Sequence, residues 1–224
     1  MTFSLVARCA RTGMFGVAVA SSSPAVAARC AFARAGVGAA LSQNVTDPRL
    51  GPRALDLMAG GMGAGDAVRE IARTAPHPDF RQVLAIDARG GTGIHSGPRA
   101  LGIWSEAQGR DVAAGGNLLA DAHVPGAMVA AFEEAEGHLG GRLIAAMRAG
   151  LAAGGEAGPV HSAGMLLVDE VPWPVADLRC DWTEGCPVAA LADLWARWHP
   201  QMDAYVARAL NPDAAPSYGV PGDE

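Results

Sequence analysis

Two neighbouring segments near the start of the chain decide the fold: Thr2–Arg8 (TFSLVAR) and Phe15–Ser21 (FGVAVAS). Residues 3–9 and 15–22 both have the composition of β-strands, and Gly13 between them favours a turn, so the two segments predict a hairpin. The second arm consists almost entirely of small apolar residues. Such an arm must be buried on both faces, and we therefore place it at the centre of a covered sheet.

The rest of the chain continues in runs of strands and runs of helices. We predict strands at 26–33, 36–43, 82–87, 92–96, 111–119, 162–169 and 175–182, and helices from 52, over 64–74, 124–136 and 140–153, and from 187. This order favours antiparallel sheets covered by helix layers over a doubly wound α/β fold. We expect one domain over residues 1–210 and a flexible, Pro/Gly-rich tail over 211–224.

Composition excludes several classes of function. The 224 residues carry a net charge of −6, and no basic run favours nucleic acid as a partner. All basic residues are arginine, so lysine-based Schiff-base, general-base and P-loop chemistry are excluded. The four cysteines and six histidines lack zinc-site spacing, so we expect neither metal nor cofactor. Neither a signal peptide nor a membrane-length apolar run is present in the sequence, so we expect a cytoplasmic protein without a membrane partner.

Thr2 is the residue that carries a specific chemical prediction. Removal of Met1 would give Thr2 a free α-amine beside its own hydroxyl. An α-amine titrates near pH 7.7–8.0, close to neutral, and can act as the base for the hydroxyl of the same residue. Other nucleophile motifs fail, because the sequence has no G-x-S-x-G turn and its His-Ser neighbours would point to opposite faces of a strand.

The hairpin resembles the opening of the N-terminal nucleophile (Ntn) hydrolases, in which the nucleophile begins a central strand and a "GVAVAS"-like strand returns beside it. More closely, the chain resembles an uncharacterised bacterial family of Ntn-hydrolase-like proteins known only as a domain of unknown function. The resemblance covers roughly residues 2–210. It implies an α+β fold, a four-layer αββα sandwich of two antiparallel sheets, and hydrolysis of an amide bond in a small metabolite.

The resemblance also implies a set of site residues. Thr2 would be the nucleophile, and Asn117 would stabilise the oxyanion. Ser21 and Gln43 would bind the amine or the substrate. Arg34 would bind a carboxylate group of the substrate, and Gly116 would also contact the substrate. These candidates are, as catalytic residues, Thr2, Ser21, Gln43 and Asn117, and, as substrate-binding residues, Arg34 and Gly116. Simpler interpretations stay open, with Asn117 as a turn residue, Ser21 as a strand cap and Arg34 as a surface charge.

Two departures from the Ntn pattern leave alternatives open. Proteasome-like enzymes place a lysine beside the nucleophile, and this chain has none. If Met1 is retained, Thr2 has no free amine, and the chain would be a non-catalytic ligand-binding or assembly protein with an Ntn-type fold.

A third interpretation gives the helix bearing Trp195 and Trp198 a role in dimerisation. We expect a homodimer or a higher homo-oligomer acting on a small-molecule substrate.

Overall fold

In the computed structural model, which describes residues 2–222, ten strands form two antiparallel sheets. The strands are β1 Thr2–Arg8, β2 Phe15–Ser21, β3 Ala31–Arg34, β4 Gly38–Asn44, β5 Arg81–Asp87, β6 Thr92–Ser96, β7 Ser105–Gly109, β8 Val112–Asn117, β9 Ser162–Val168 and β10 Ala176–Cys180. The first sheet has the order β10-β9-β2-β1-β8-β7 and the second β3-β4-β5-β6.

Seven α-helices accompany the sheets within the described residues. They are α1 Ala27–Cys30, α2 Leu50–Ala59, α3 Ala64–Thr74, α4 Val124–Glu134, α5 Leu139–Ala152, α6 Pro187–Trp198 and α7 Met202–Leu210. None of the helices described is long and apolar enough to cross a membrane.

The predicted hairpin is confirmed, and it lies in the middle of the first sheet. Phe3 pairs with Ala20 and Arg8 with Phe15, while β8 pairs with the other edge of β1. Every residue of β2 is buried, as its small apolar composition predicted.

Alternating side chains of β1 separate two layers of the core. Phe3 and Leu5 pack with residues of α4, α5 and α6, whereas Val6 packs with Leu41 and Leu84 of the second sheet. The outer face of that sheet is covered by α2 and α3. The chain therefore forms a sandwich in the order helices, sheet, sheet, helices, and the central strands of both sheets are buried on both faces.

Two sequence predictions differ from the structure. Residues 26–33, predicted as one strand, form the short helix α1 followed by β3. Ala25 has a left-handed backbone (φ 50°), and the Val26 N–H is held by Ser162 Oγ at 3.2 Å, so the chain bends before a segment rich in alanine, which favours helix. Strand β7 was missed because an exposed polar edge strand lacks the apolar alternation of a buried one.

The helix α6 packs its tryptophans within the chain. Trp195 is buried against the first sheet's helix layer and stacks on His199, and Trp198 Nε1 donates to the Val175 carbonyl at 2.9 Å. In the 211–224 segment, Tyr218 lies beneath the Arg208 guanidinium, 3.9 Å from its ring centre. These contacts give both tryptophans a structural role inside one chain.

Candidate functional site

Buried polar side chains concentrate at one end of the layer between the two sheets. On β1 the residues that face the second sheet change from Val6 to Ser4 and then Thr2, because alternate residues of a strand share one face. The same change occurs at the ends of the neighbouring strands. We call the resulting group the inter-sheet polar cluster; its members are Thr2, Ser4, Ser21, Gln43, Gln82 and Asn117, all buried.

A continuous chain of hydrogen bonds connects most of the cluster. Ser4 Oγ donates to Gln43 Oε1 at 2.6 Å, and Gln43 Nε2 donates to Gln82 Oε1 at 2.7 Å. Asn117 Nδ2 donates to the same Gln82 Oε1 at 3.2 Å. Since Ser4 and Asn117 belong to the first sheet and the two glutamines to the second, the network joins the sheets at this end.

Backbone carbonyls fix the orientation of the two glutamine amides. Gln43 Nε2 donates to the Gly115 carbonyl at 3.3 Å, and Gln82 Nε2 to the Gly116 carbonyl at 3.2 Å. A carbonyl only accepts, so each nitrogen must lie on that side and Gln82 Oε1 must accept from Asn117. The buried Asn117 Oδ1 then faces away from the network and has no hydrogen-bond partner within the structure described.

Thr2 lies beside Asn117 and is almost fully buried. The two residues are opposite each other in the β1–β8 register, and 6% of Thr2 is exposed. The β1–β2 register, which pairs Phe3 with Ala20, continues to bring Thr2 opposite Ser21. The structure therefore brings together Thr2, Ser21, Gln43 and Asn117 of the predicted site. Met1 lies outside the described residues.

The two predicted substrate-binding residues lie in different places. Gly116 belongs to the cluster's backbone, since its carbonyl accepts from Gln82. Arg34 lies opposite Gly38, at the far end of β4 from Gln43, which is about 17 Å away at the usual rise of an extended strand. Its guanidinium forms an exposed ion pair with Asp56 at 2.8 Å. Arg34 is therefore separated from the cluster.

Sequence reasoning missed a buried carboxyl group next to the cluster. Glu156 follows the Gly154-Gly155 pair, forms a bridge with Leu119 beyond the end of β8, and is 4% exposed. Both its carboxylate oxygens accept from the Ser22 N–H, at 3.0 and 3.1 Å. Burial raises the pKa of Glu156 to about 7, and the bonds from Ser22 oppose that rise. A single acid in a glycine-rich loop gave no pattern by which to find it.

An open groove of about 410 Å³ lies on the solvent side of Glu156. His161 and Glu184 line it, and Trp182 stacks on the His161 ring at 4.3 Å between ring centres. His161 Nδ1 lies 2.8 Å from the Thr183 carbonyl, so this nitrogen carries the proton. The groove has the size of a small-molecule site. Within residues 2–222, no group of three or more His, Cys, Asp or Glu could hold a metal ion.

The fold and this site define an α+β sandwich protein whose central strand begins in a buried polar cluster. The sequence model of DUF1028, a family of unknown function, matches residues 2–191, and the chain belongs to that family. A crystal structure of a DUF1028 protein from Silicibacter pomeroyi is similar, with 29% identity, a TM-score of 0.81 and 88% of each chain covered.

Two other comparisons add no functional information. Anbu (ancestral beta-subunit) from Yersinia bercovieri is 11% identical with a TM-score of 0.39, covering 91% of this chain and 97% of that one, which is too low a similarity to support an argument. No curated protein matches the chain.

Proposed function

We propose that the chain is an Ntn-type amidohydrolase, which cleaves the C–N bond of a small amide with Thr2 as nucleophile after Met1 is removed. The observation that carries the proposal is the position of Thr2. It begins the central strand of the first sheet, and its neighbours across both sheets are buried hydroxyl and amide side chains where an apolar core would otherwise continue. Buried polar groups are costly unless they are hydrogen-bonded, and Asn117 Oδ1, opposite Thr2, is the cluster atom left without a partner in the described chain.

In the proposed reaction the Thr2 hydroxyl oxygen attacks the amide carbon, and the Thr2 α-amine accepts the hydroxyl proton. The resulting tetrahedral intermediate carries its negative charge on the former carbonyl oxygen. The ammonium returns the proton to the departing nitrogen as the C–N bond breaks, which leaves an ester on Thr2. Water then attacks this ester with the amine again as base, and releases the acid product.

The cluster residues would serve this reaction in distinct ways. Asn117 Nδ2 has one hydrogen on Gln82 and a second available for the oxyanion, and loss of such a donor typically raises a barrier by about 3–4 kcal/mol. Ser21, opposite Thr2, would bind the amine or the substrate. Gln43 and Gln82 would hold Asn117 in place, and the Gly116 carbonyl would hold Gln82.

Three further attributes belong to the proposal: a small-molecule substrate, a cytoplasmic location and assembly as a homodimer or higher oligomer. Light scattering on the purified protein tests the assembly. A chain that keeps Met1 would instead support the second candidate, a non-catalytic binding or assembly protein. The near-complete burial of Thr2, at 6% exposure, is the observation that favours that candidate.

Mass spectrometry of protein purified from its native host tests the removal of Met1. Protein with a verified free Thr2 is then screened against amides and ureides. We expect Thr2→Ala to lower turnover on the order of 10³-fold or more with folding intact, since the nucleophile is lost. Thr12→Ala, in the exposed hairpin turn, should leave turnover unchanged. Retained Met1, or a Thr2→Ala variant as active as the parent, would refute the proposal.

A further inference from the structure

Glu156 is a buried carboxyl group without an arginine partner among the described residues, and the charges that favour its ionised form are those of the chain's amino terminus and of His161. A carboxylate offers about four lone-pair positions, and within residues 2–222 the Ser22 N–H is its hydrogen-bond donor. An ionised buried group is costly unless it is paired, so the Glu156 carboxylate is suited to a cation other than an arginine side chain of this chain.

The strand register places Glu156 beside the backbone at the start of β1. Thr2 lies opposite Ser21, so the Ser22 N–H that holds the carboxylate is one residue away from the partner of Thr2. On the other side of β1, Thr2 pairs with Asn117, and Leu119, two residues further on, forms the bridge with Glu156. Glu156 thus lies at the end of the first sheet where β1 begins with Thr2.

Asn117, which lies opposite Thr2 on β8, supplies a second acceptor near the start of β1. Its Oδ1 is buried without a partner within the described chain, because the glutamine network fixes the amide with Nδ2 toward Gln82. An ammonium group has three N–H donors, whereas the nitrogen of a peptide bond has one. Two acceptors near the start of β1, a carboxylate and an amide oxygen, therefore suit an ammonium group better than a peptide N–H.

From this geometry we propose that the Glu156 carboxylate is the counter-ion of the α-amine that removal of Met1 creates on Thr2, with Asn117 Oδ1 as the second acceptor. Glu156 is then a positioning residue that orients the amine toward the Thr2 hydroxyl. This inference rests on the proposed function and names the partner of its base.

The pair also accounts for proton transfer in a chain without lysine. Burial raises the pKa of Glu156 to about 7, close to the 7.7–8.0 of a free α-amine, so a proton can pass between the two groups, and the amine holds it in the major form. In the minor form Glu156 holds the proton, and the neutral amine can accept one from the hydroxyl. The other titratable side chains that line the groove beside Glu156 are His161, Glu184 and Cys186; a positive His161 favours the ionised carboxylate.

The first test measures the pKa of the Thr2 amine directly. A fusion protein cleaved immediately before Thr2 provides the full chain with a free amine, and ¹⁵N-threonine labelling allows its titration to be followed by NMR. We expect Glu156→Gln to lower the amine pKa by about 1 unit, since a carboxylate favours a nearby ammonium. Glu184→Gln is the matched control, because Glu184 lines the same groove with an exposed side chain, and should leave the pKa unchanged. Equal effects of the two variants would overturn the inference.

A second measurement needs no substitution and so does not depend on how the variant folds. The ¹³C signal of the Glu156 carboxyl is titrated in the fusion before cleavage and in the released chain. The new ammonium should lower the carboxyl midpoint by about 1 unit, and an unchanged midpoint contradicts the pairing. Neither titration uses turnover. Retained Met1 in the native protein would therefore refute the proposed function alone, whereas an active enzyme with an unaffected amine would refute this inference alone.

Discussion

The hydrogen bond between Ser4 and Gln43 offers the sharpest test of the inter-sheet polar cluster. Ser4 Oγ donates to Gln43 Oε1 at 2.6 Å, and neither residue is exposed. Ser4→Ala removes the donor and leaves the Gln43 Oε1 oxygen buried without that partner. Loss of a buried hydrogen bond with one group left unsatisfied costs about 1–3 kcal/mol. We therefore expect the free energy of unfolding to fall by about 2 kcal/mol in urea titrations.

An exposed bond of the same length provides the control. Thr92 Oγ1 donates to Gln108 Oε1, also at 2.6 Å, but in contact with solvent. Thr92→Val should cost at most about 0.5 kcal/mol, because water replaces the lost partner. If Ser4→Ala costs no more than Thr92→Val, the assignment of a satisfied, dry network is wrong.

A double-mutant cycle then isolates the pair itself. Gln43→Leu alone leaves the Ser4 hydroxyl and the Gly115 carbonyl without their amide partner, so it should cost more than Ser4→Ala. The double variant should cost less than the sum by about 1 kcal/mol, because the Ser4–Gln43 bond can be lost only once. Additive costs would show that the two side chains do not interact in solution.

Two further predictions concern stability elsewhere in the chain. The pKa of Glu156 is raised to about 7 from a usual 4.5, so the folded state binds more protons than the unfolded state between these pH values. Glu156→Gln should therefore be more stable than the parent at pH 8, by up to about 3 kcal/mol, and this gain should fade toward pH 4. A gain in the free energy of unfolding that does not change with pH in urea titrations would contradict the prediction. In thermal unfolding, Gly51→Ala should destabilise the protein by about 1–3 kcal/mol, because the new Cβ would lie 2.0 Å from the Phe32 ring. Gly126→Ala has open space around it and should stabilise helix α4 by up to about 1 kcal/mol. Effects of the same sign would contradict this packing.

The fold was predictable to the extent that local pattern determined it. Burial of Phe15–Ser21 on both faces followed from its small apolar residues, and the run-wise order of strands and helices indicated two covered antiparallel sheets. The helix Ala27–Cys30 was not predictable, because it depends on a bend held by Ser162, which is distant in sequence. Strand β7 was missed because its pairing, and not its composition, makes it a strand.

The candidate site was predictable mainly where a residue stood at the end of a predicted strand. Thr2, Ser21 and Gln43 met this condition, whereas Asn117 was predicted from its Gly-Gly-Asn turn, and the fold brings all four together. Gln82 also begins a strand, but its role depends on the orientation of an amide in the opposite sheet, which no sequence pattern specifies. Glu156 reaches the same place from a loop after α5, so its proximity follows from tertiary structure alone.

Stability alone gives a poor account of the cluster's composition. Apolar side chains fill the equivalent positions two residues away from Ser4, Gln43 and Gln82 on the same strands. Replacing both partners of a buried polar pair with apolar groups is often neutral or stabilising, so an apolar core could also continue here. The network is satisfied throughout except at Asn117 Oδ1, next to Thr2. A network that served only to join the sheets would need no acceptor left over. The unsatisfied atom lies where the proposed chemistry needs a partner, and this coincidence, more than the threonine itself, makes a functional role for the start of β1 the better explanation.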